Sequence, residues 1–156
     1  MKQLISKILL ITTTSLCLCS GCGVLKEGIA SKINEVNNII AEESAERGIE
    51  RISYQLKRNG IEKAVKEAEA ISIPEIRASA LYMIGKRQIA IKYDPLLLIE
   101  VENKLSNTIS QIEDFEEWVL ATVNLADLIY TTNPNEAKKL VEKGAEKAWL
   151  ITSAAS

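Results

Sequence analysis

Histidine is absent from the 156 residues. That removes the side chain most often used as a general base near neutral pH, and the commonest ligand of transition metals. No Gly-x-Ser-x-Gly elbow, phosphate-binding loop, zinc ligand set or dinucleotide fingerprint occurs anywhere in the sequence. Aromatics are scarce, with one Phe, two Trp and four Tyr. A basic excess is lacking too: 19 Lys and Arg face 21 Asp and Glu, which argues against a nucleic-acid binder. No stretch alternates with the period of a β-strand as clearly as most of the chain follows the period of a helix.

What is present begins with an address. Met1 to Lys7 is short and positively charged, Ile8 to Leu18 is apolar and uncharged, and Ser20-Gly21 places small residues before Cys22. This is the order of a secretory signal. The apolar run is about half of the roughly 20 residues that a spanning helix needs, and Thr12, Thr13, Thr14 and Ser15 weaken a spanning reading further. Cys19-Ser20-Gly21-Cys22 resembles the lipobox of bacterial lipoproteins. It matches at Ser20, Gly21 and Cys22 and departs at Cys19, where the family usually has Leu. Cys17 and Cys19 each follow a bulky Leu and do not compete. The resemblance implies diacylglycerol on the Cys22 sulfur, cleavage just before it, and acylation of the new amine. An ordinary signal peptide cut nearby, leaving a free Cys22, is the alternative.

The three cysteines, at 17, 19 and 22, fit this reading. Cleavage removes two and leaves one, which cannot close an internal disulfide. Several acyl chains hold far more firmly than one, because each buried CH₂ adds about 0.8 kcal/mol. Of 156 residues, removal of 1–21 leaves 135, enough for one domain with a modest core. Loss of Lys2 and Lys7 leaves 17 basic against 21 acidic groups, a net of −4, with no general attraction to anionic lipid. The resemblance places the protein on the exported side of the cell membrane or outer membrane. Gly23 lacks the Asp that favours inner-membrane retention in that family, so in a two-membrane cell it points to the outer membrane.

Residues 22–30 read as a lipidated tether and 31–156 as a helical domain. Ile33, Val36 and Ile40, then Ala45, Ile49, Ile52 and Leu56 keep helical spacing. The phase slips between Ile40 and Ala45, which predicts two helices or one bent helix. Asn59-Gly60 is a stop signal. Ile61, Ala64, Val65, Ala68 and Ile71 mark a second amphipathic helix ending before Ile73-Pro74, since the residue before proline is pushed out of the α region. Pro74 opens another through about Ile91, with Ile76, Ala80, Met83, Ile84 and Ile91 inward. Asp94-Pro95 pairs an N-cap with proline at the first helical position and leads Leu98, Val101, Leu105, Ile109 and Ile112. The acidic run 113–117 opens a helix carrying Trp118, Val119, Thr122, Leu125 and Ile129. Asn133-Pro134 opens the last, with Ala137, Leu140, Val141, Ala145, Ala148 and Ile151.

The predicted fold class is therefore all-α. Asp94-Pro95 and Asn133-Pro134 lie 39 residues apart, and Ala80, Ile84 and Gly85 have counterparts 41 residues on at Ala121, Leu125 and Ala126. A spacing near 40 falls within the range of helical repeats. Residues 63–71 followed by 74–81 resemble tetratricopeptide-like or HEAT-like helix pairs, a likeness running from about Ile61 to Ile151. The resemblance implies stacked antiparallel helix pairs, a short α-solenoid. The tetratricopeptide aromatic positions and 34-residue period are not met, and a small helical bundle is the alternative.

Candidate functional residues are few, and none is assigned to catalysis, cofactor or metal. Glu113, Asp114, Glu116 and Glu117 would be a carboxylate cluster, but acids at a helix start ordinarily complement its dipole. Lys139, Lys143 and Lys147 form a basic stripe that reads as a solvated face beside Glu142 and Glu146, with contact to an acidic partner or lipid headgroups as the alternative. Lys86, Arg87 and Lys92, near a helix C-terminus, read as a solvated face in the same way. Phe115, Trp118 and Tyr82 read as core. Trp149 reads as part of a packed terminal helix with Ala148, Leu150 and Ile151, or else as an exposed partner anchor. The expectation is a lipid-anchored envelope protein that works through protein–protein contact as a scaffold or adaptor, its partner an unidentified envelope protein. The alternative is a small exclusion or immunity lipoprotein that blocks a receptor or toxin. Neither needs a catalytic residue.

Overall fold

A computed structural model describes the backbone of residues 24–58, 60–91 and 93–154, with side chains from Ser31 to Trp149 apart from Lys32, Asn59 and Lys92. The leader, Cys22 and the lipobox-like segment lie outside the described residues. Six helices and no strand occur among them: α1 (Val24–Lys57), α2 (Ile61–Glu69), α3 (Pro74–Ile91), α4 (Pro95–Ile109), α5 (Phe115–Tyr130) and α6 (Pro134–Ala154). None is long and apolar enough to cross a membrane.

The chain divides into two units, residues 1–43 and 44–156, with the division inside α1. It falls within the phase slip between Ile40 and Ala45. The helix continues through the slip, so of the two expected alternatives, two helices or one, a single helix is found. In the first unit α1 already begins at Val24, within the segment read as a tether, and it exposes Ile33 and Ile40.

In the second unit the helix starts follow local chemistry. The Asp94 carboxylate accepts from the backbone N–H of Leu96 and Leu97 at 3.0 and 3.3 Å. The Asp114 carboxylate accepts from Glu117 N–H at 2.9 Å and the Asn133 amide oxygen from Glu136 N–H at 3.2 Å. Each satisfies a donor that the first helical turn leaves without an intrahelical partner. The α2 helix stops at Glu69, and Ile71 then turns inward to lie against Gly48 of α1.

Consecutive helices joined by short connections pack as antiparallel pairs. The closest pairs are α3 with α4 and α5 with α6; α5 also packs on α3 and α4, and α3 on α2. Ile52, Leu81, Ile84, Leu98, Val101, Leu105 and Leu128 form the fully buried centre. Polar bonds tie the rim together: Arg51 to Glu67 at 2.6 Å and Lys104 to Glu69 between helices, and Arg77 of α3 to Gln111 in the α4–α5 connection at 2.8 Å.

The positions matched at 41 residues are buried in both helices, Ala80, Ile84 and Gly85 in α3 and Ala121, Leu125 and Ala126 in α5. Several expected core positions are not. Val141 and Ala145 of α6 are exposed, as is Ile91 at the end of α3. The α6 helix packs chiefly on α5 and buries one narrow face through Ala137 and Gly144. It extends as helix through Ala154.

Candidate docking groove between the last two helices

Three side chains from two helices meet at the α3–α5 rim. Asp127 Oδ2 accepts from the Tyr82 hydroxyl at 2.8 Å and from Lys86 Nζ at 3.0 Å. Tyr82 and Lys86 are four residues apart on α3 and share a face. The Lys86 ammonium, then the Tyr82 hydroxyl, hold the Asp127 carboxyl below its ordinary value. The same bond to Asp127 raises the pKa of Lys86, and that of Tyr82, on the other side. Lys86 is exposed, and its partner is a carboxylate 41 residues away. Exposed ion pairs contribute about 0.2–1 kcal/mol, so this contact sets register more than stability.

Beneath it, Gly85 makes the two helices fit. A Cβ on Gly85 would stand 2.8 and 2.9 Å from the two methyl carbons of Leu128. Leu128 is fully buried, so α5 seats a large aliphatic side chain in the notch that a missing Cβ leaves on α3.

Beside that rim, and sharing Asp127 with it, the chain offers a groove of about 550 Å³ between α5 and α6. From α5 it is lined by Val123, Ala126, Asp127 and Tyr130, and from α6 by Val141 among others, with Lys138 and Glu142 at the wall. Val123, Tyr130 and Val141 are 46%, 67% and 48% exposed. A monomer scatters single apolar residues over its surface as a matter of course; here they converge on one concavity, the ordinary form of a binding site.

The residues singled out from sequence fall elsewhere. Lys139 pairs with Glu136 at 3.4 Å, and Lys147 lies 3.8 Å over the Trp118 ring, a cation–π contact joining α6 to α5. Lys143 is exposed. All three members of the stripe are exposed, and two of them are tied to their own chain. Trp149 is 69% exposed, which corrects the preferred packed reading. The α6 helix buries a single face, and at 100° per residue the position after half-buried Ala148 leaves it. Phe115, Trp118 and Tyr82 are half-buried. Asp114 is a cap, while Glu113, Glu116 and Glu117 are exposed. Among the described residues no group of three or more Cys, Asp or Glu side chains is placed to hold a metal.

Sequence reasoning missed Tyr130, Val123 and Asp127. The available signal was the 41-residue register, which maps Tyr82 to Val123, Gly85 to Ala126, Lys86 to Asp127 and Ile89 to Tyr130. No family model, curated protein or solved structure matches the chain.

Proposed function

We propose that the chain is a lipid-anchored protein of the cell envelope that acts through protein–protein contact, held to the membrane by Cys22 and presenting the α5–α6 groove to its partner. The observation that carries the contact reading is the convergence of exposed Val123, Tyr130 and Val141 in one concavity. A stack of helix pairs is rigid and offers such a surface without needing any single reactive group. The anchor rests on the resemblance of residues 19–22 to a lipobox, which makes Cys22 the sole acceptor in that segment.

Cys22→Ala tests the anchor. The substitution is expected to abolish incorporation of labelled fatty acid and to release the protein from membranes on fractionation. Continued labelling, or a wild-type chain that fractionates as soluble, overturns it. Crosslinking in intact cells tests the contact half. Glu113→Gln, Glu116→Gln and Glu117→Gln each alter one exposed charge and are expected to leave stability within about 0.5 kcal/mol and partner capture intact. Leu125→Ala opens the core at a cost of roughly 2–5 kcal/mol and is expected to reduce capture in step with protein abundance. A single Glu→Gln change that abolishes the phenotype at normal abundance and anchoring would show a carboxylate carrying chemistry.

A further inference from the structure

The molecule already contains one filled version of its empty groove. Tyr82, Gly85, Lys86 and Ile89 on α3 stand 41 residues before Val123, Ala126, Asp127 and Tyr130 on α5. The first set is covered: Leu128 fills the notch at Gly85, Asp127 takes the Tyr82 and Lys86 donors, and Tyr82 and Ile89 are half-buried. In the second set only Ala126 is buried, while Val123 and Tyr130 are open. What covers the first set is an α-helix. Its contact carries an aliphatic side chain over the small residue and, beside it in sequence, a charge opposite to the one it meets.

From this internal precedent we infer that the α5–α6 groove receives one amphipathic helix of a partner protein, docked on α5 as α5 docks on α3. That helix carries an aliphatic side chain over Ala126, and a lysine or arginine next to it facing Asp127. The inference rests on the contact reading of the groove given above and names the partner's chemistry. The charge follows from the register: the base Lys86 meets an acid, and the position equivalent to Lys86 is the acid Asp127. On the wall Lys138 pairs with Glu142 at 3.7 Å, and the Lys86 and Tyr82 bonds to Asp127 both fall on its Oδ2. A second copy docked in the same register would set Asp127 against Asp127, which like-charge repulsion disfavours. The small residue is alanine here where α3 has glycine, so the visiting helix stands further off than α5 does from α3. Tyr130 and Val141 then lie against its flanks.

The probe is a helix-stapled peptide of the α5 sequence, Phe115–Tyr130, with lysine in place of Asp127. The unchanged α5 peptide, stapled alike, is the control. Both are titrated by fluorescence anisotropy against the full chain in mild detergent. The lysine peptide is expected to bind saturably and at least tenfold more tightly than the control. Val123→Arg in the full chain, at an exposed position, is expected to abolish that binding while leaving the helical circular dichroism spectrum unchanged. Asp127→Lys in the full chain is expected to reverse the preference of the two peptides. Absence of binding, equal binding of both peptides, or binding that survives Val123→Arg overturns the proposal. So does sedimentation showing a dimer of the full chain that Val123→Arg dissociates, because a second copy would then be the occupant. None of these results bears on the anchor, and a different contact surface would still show as cellular crosslinks outside the groove.

Discussion

At the scale of single residues, two carboxylates pull the pH dependence of stability in opposite directions. Burial raises the Glu102 carboxyl above its ordinary value, and its buried Oε1 has no hydrogen-bond partner among the described residues. A carboxyl raised in the folded state favours folding below its unfolded pKa of about 4.3, and that contribution is lost as pH rises through the folded value. Asp127 is lowered by Lys86 and Tyr82. Its contribution is present above an unfolded pKa of about 3.9 and disappears as pH falls through the folded value. Glu102→Gln keeps the shape and removes the ionisation. Its urea midpoint is expected to rise relative to wild type at pH 7 and to match wild type where the carboxyl is protonated in both states, near pH 3. A midpoint lowered at pH 7 would mean that the Glu102 charge is held by a favourable contact rather than penalised by burial.

At the scale of helices, two glycines predict opposite outcomes for one substitution. Alanine gains roughly 0.5–1 kcal/mol over glycine in a helix interior, while overpacking a tight core costs typically 1–3 kcal/mol. At Gly85 the new Cβ would meet fully buried Leu128 at 2.8 Å, and that side chain has nowhere to move. At Gly144 the nearest atom is Thr122 Cγ2 at 3.9 Å, an ordinary contact. Gly85→Ala is therefore expected to destabilise by about 0–2.5 kcal/mol and Gly144→Ala to stabilise by about 0.5–1 kcal/mol, read by urea titration. Gly85→Ala with Leu128→Ala should cost less than the sum of the two single changes, because the truncated side chain makes room. Helix starts were legible because caps act locally: Asp94, Asp114 and Asn133 each bind the first turn as their residue types predict. Core membership was less legible where a helix is packed on several sides. The α3 helix touches α2, α4 and α5, so Leu81 and Gln88 are buried alongside Ile84. No single apolar stripe marks such a helix, and Leu128 of α5 escaped notice for the same reason.

At the scale of the molecule, what the sequence left open was which faces remain uncovered. Periodicity identifies an apolar stripe but does not say whether another helix arrives to cover it, and Val141 and Tyr130 are places where it stays exposed. The same asymmetry governs dynamics. Local opening is easiest where few buried apolar contacts hold an element. The α3 helix is held by three neighbours and contributes Leu81 and Ile84 to the fully buried centre, whereas α6 leans chiefly on α5 and its Leu140 is only half-buried. Amide hydrogen exchange of the full chain, under conditions where reclosing is fast, is expected to show α3 amides exchanging only with global unfolding. Amides of residues 140–148 should exchange by a smaller opening, at least tenfold faster. Because α6 forms one wall of the groove, a helix seated there would add contacts to an element that leans chiefly on one neighbour. Binding of the lysine peptide should then slow exchange in α6 more than in α3, since an element already opening only globally gains just the overall increment from ligand binding. Equal protection of α3 and α6 without peptide would show that α6 is held by more than its face on α5.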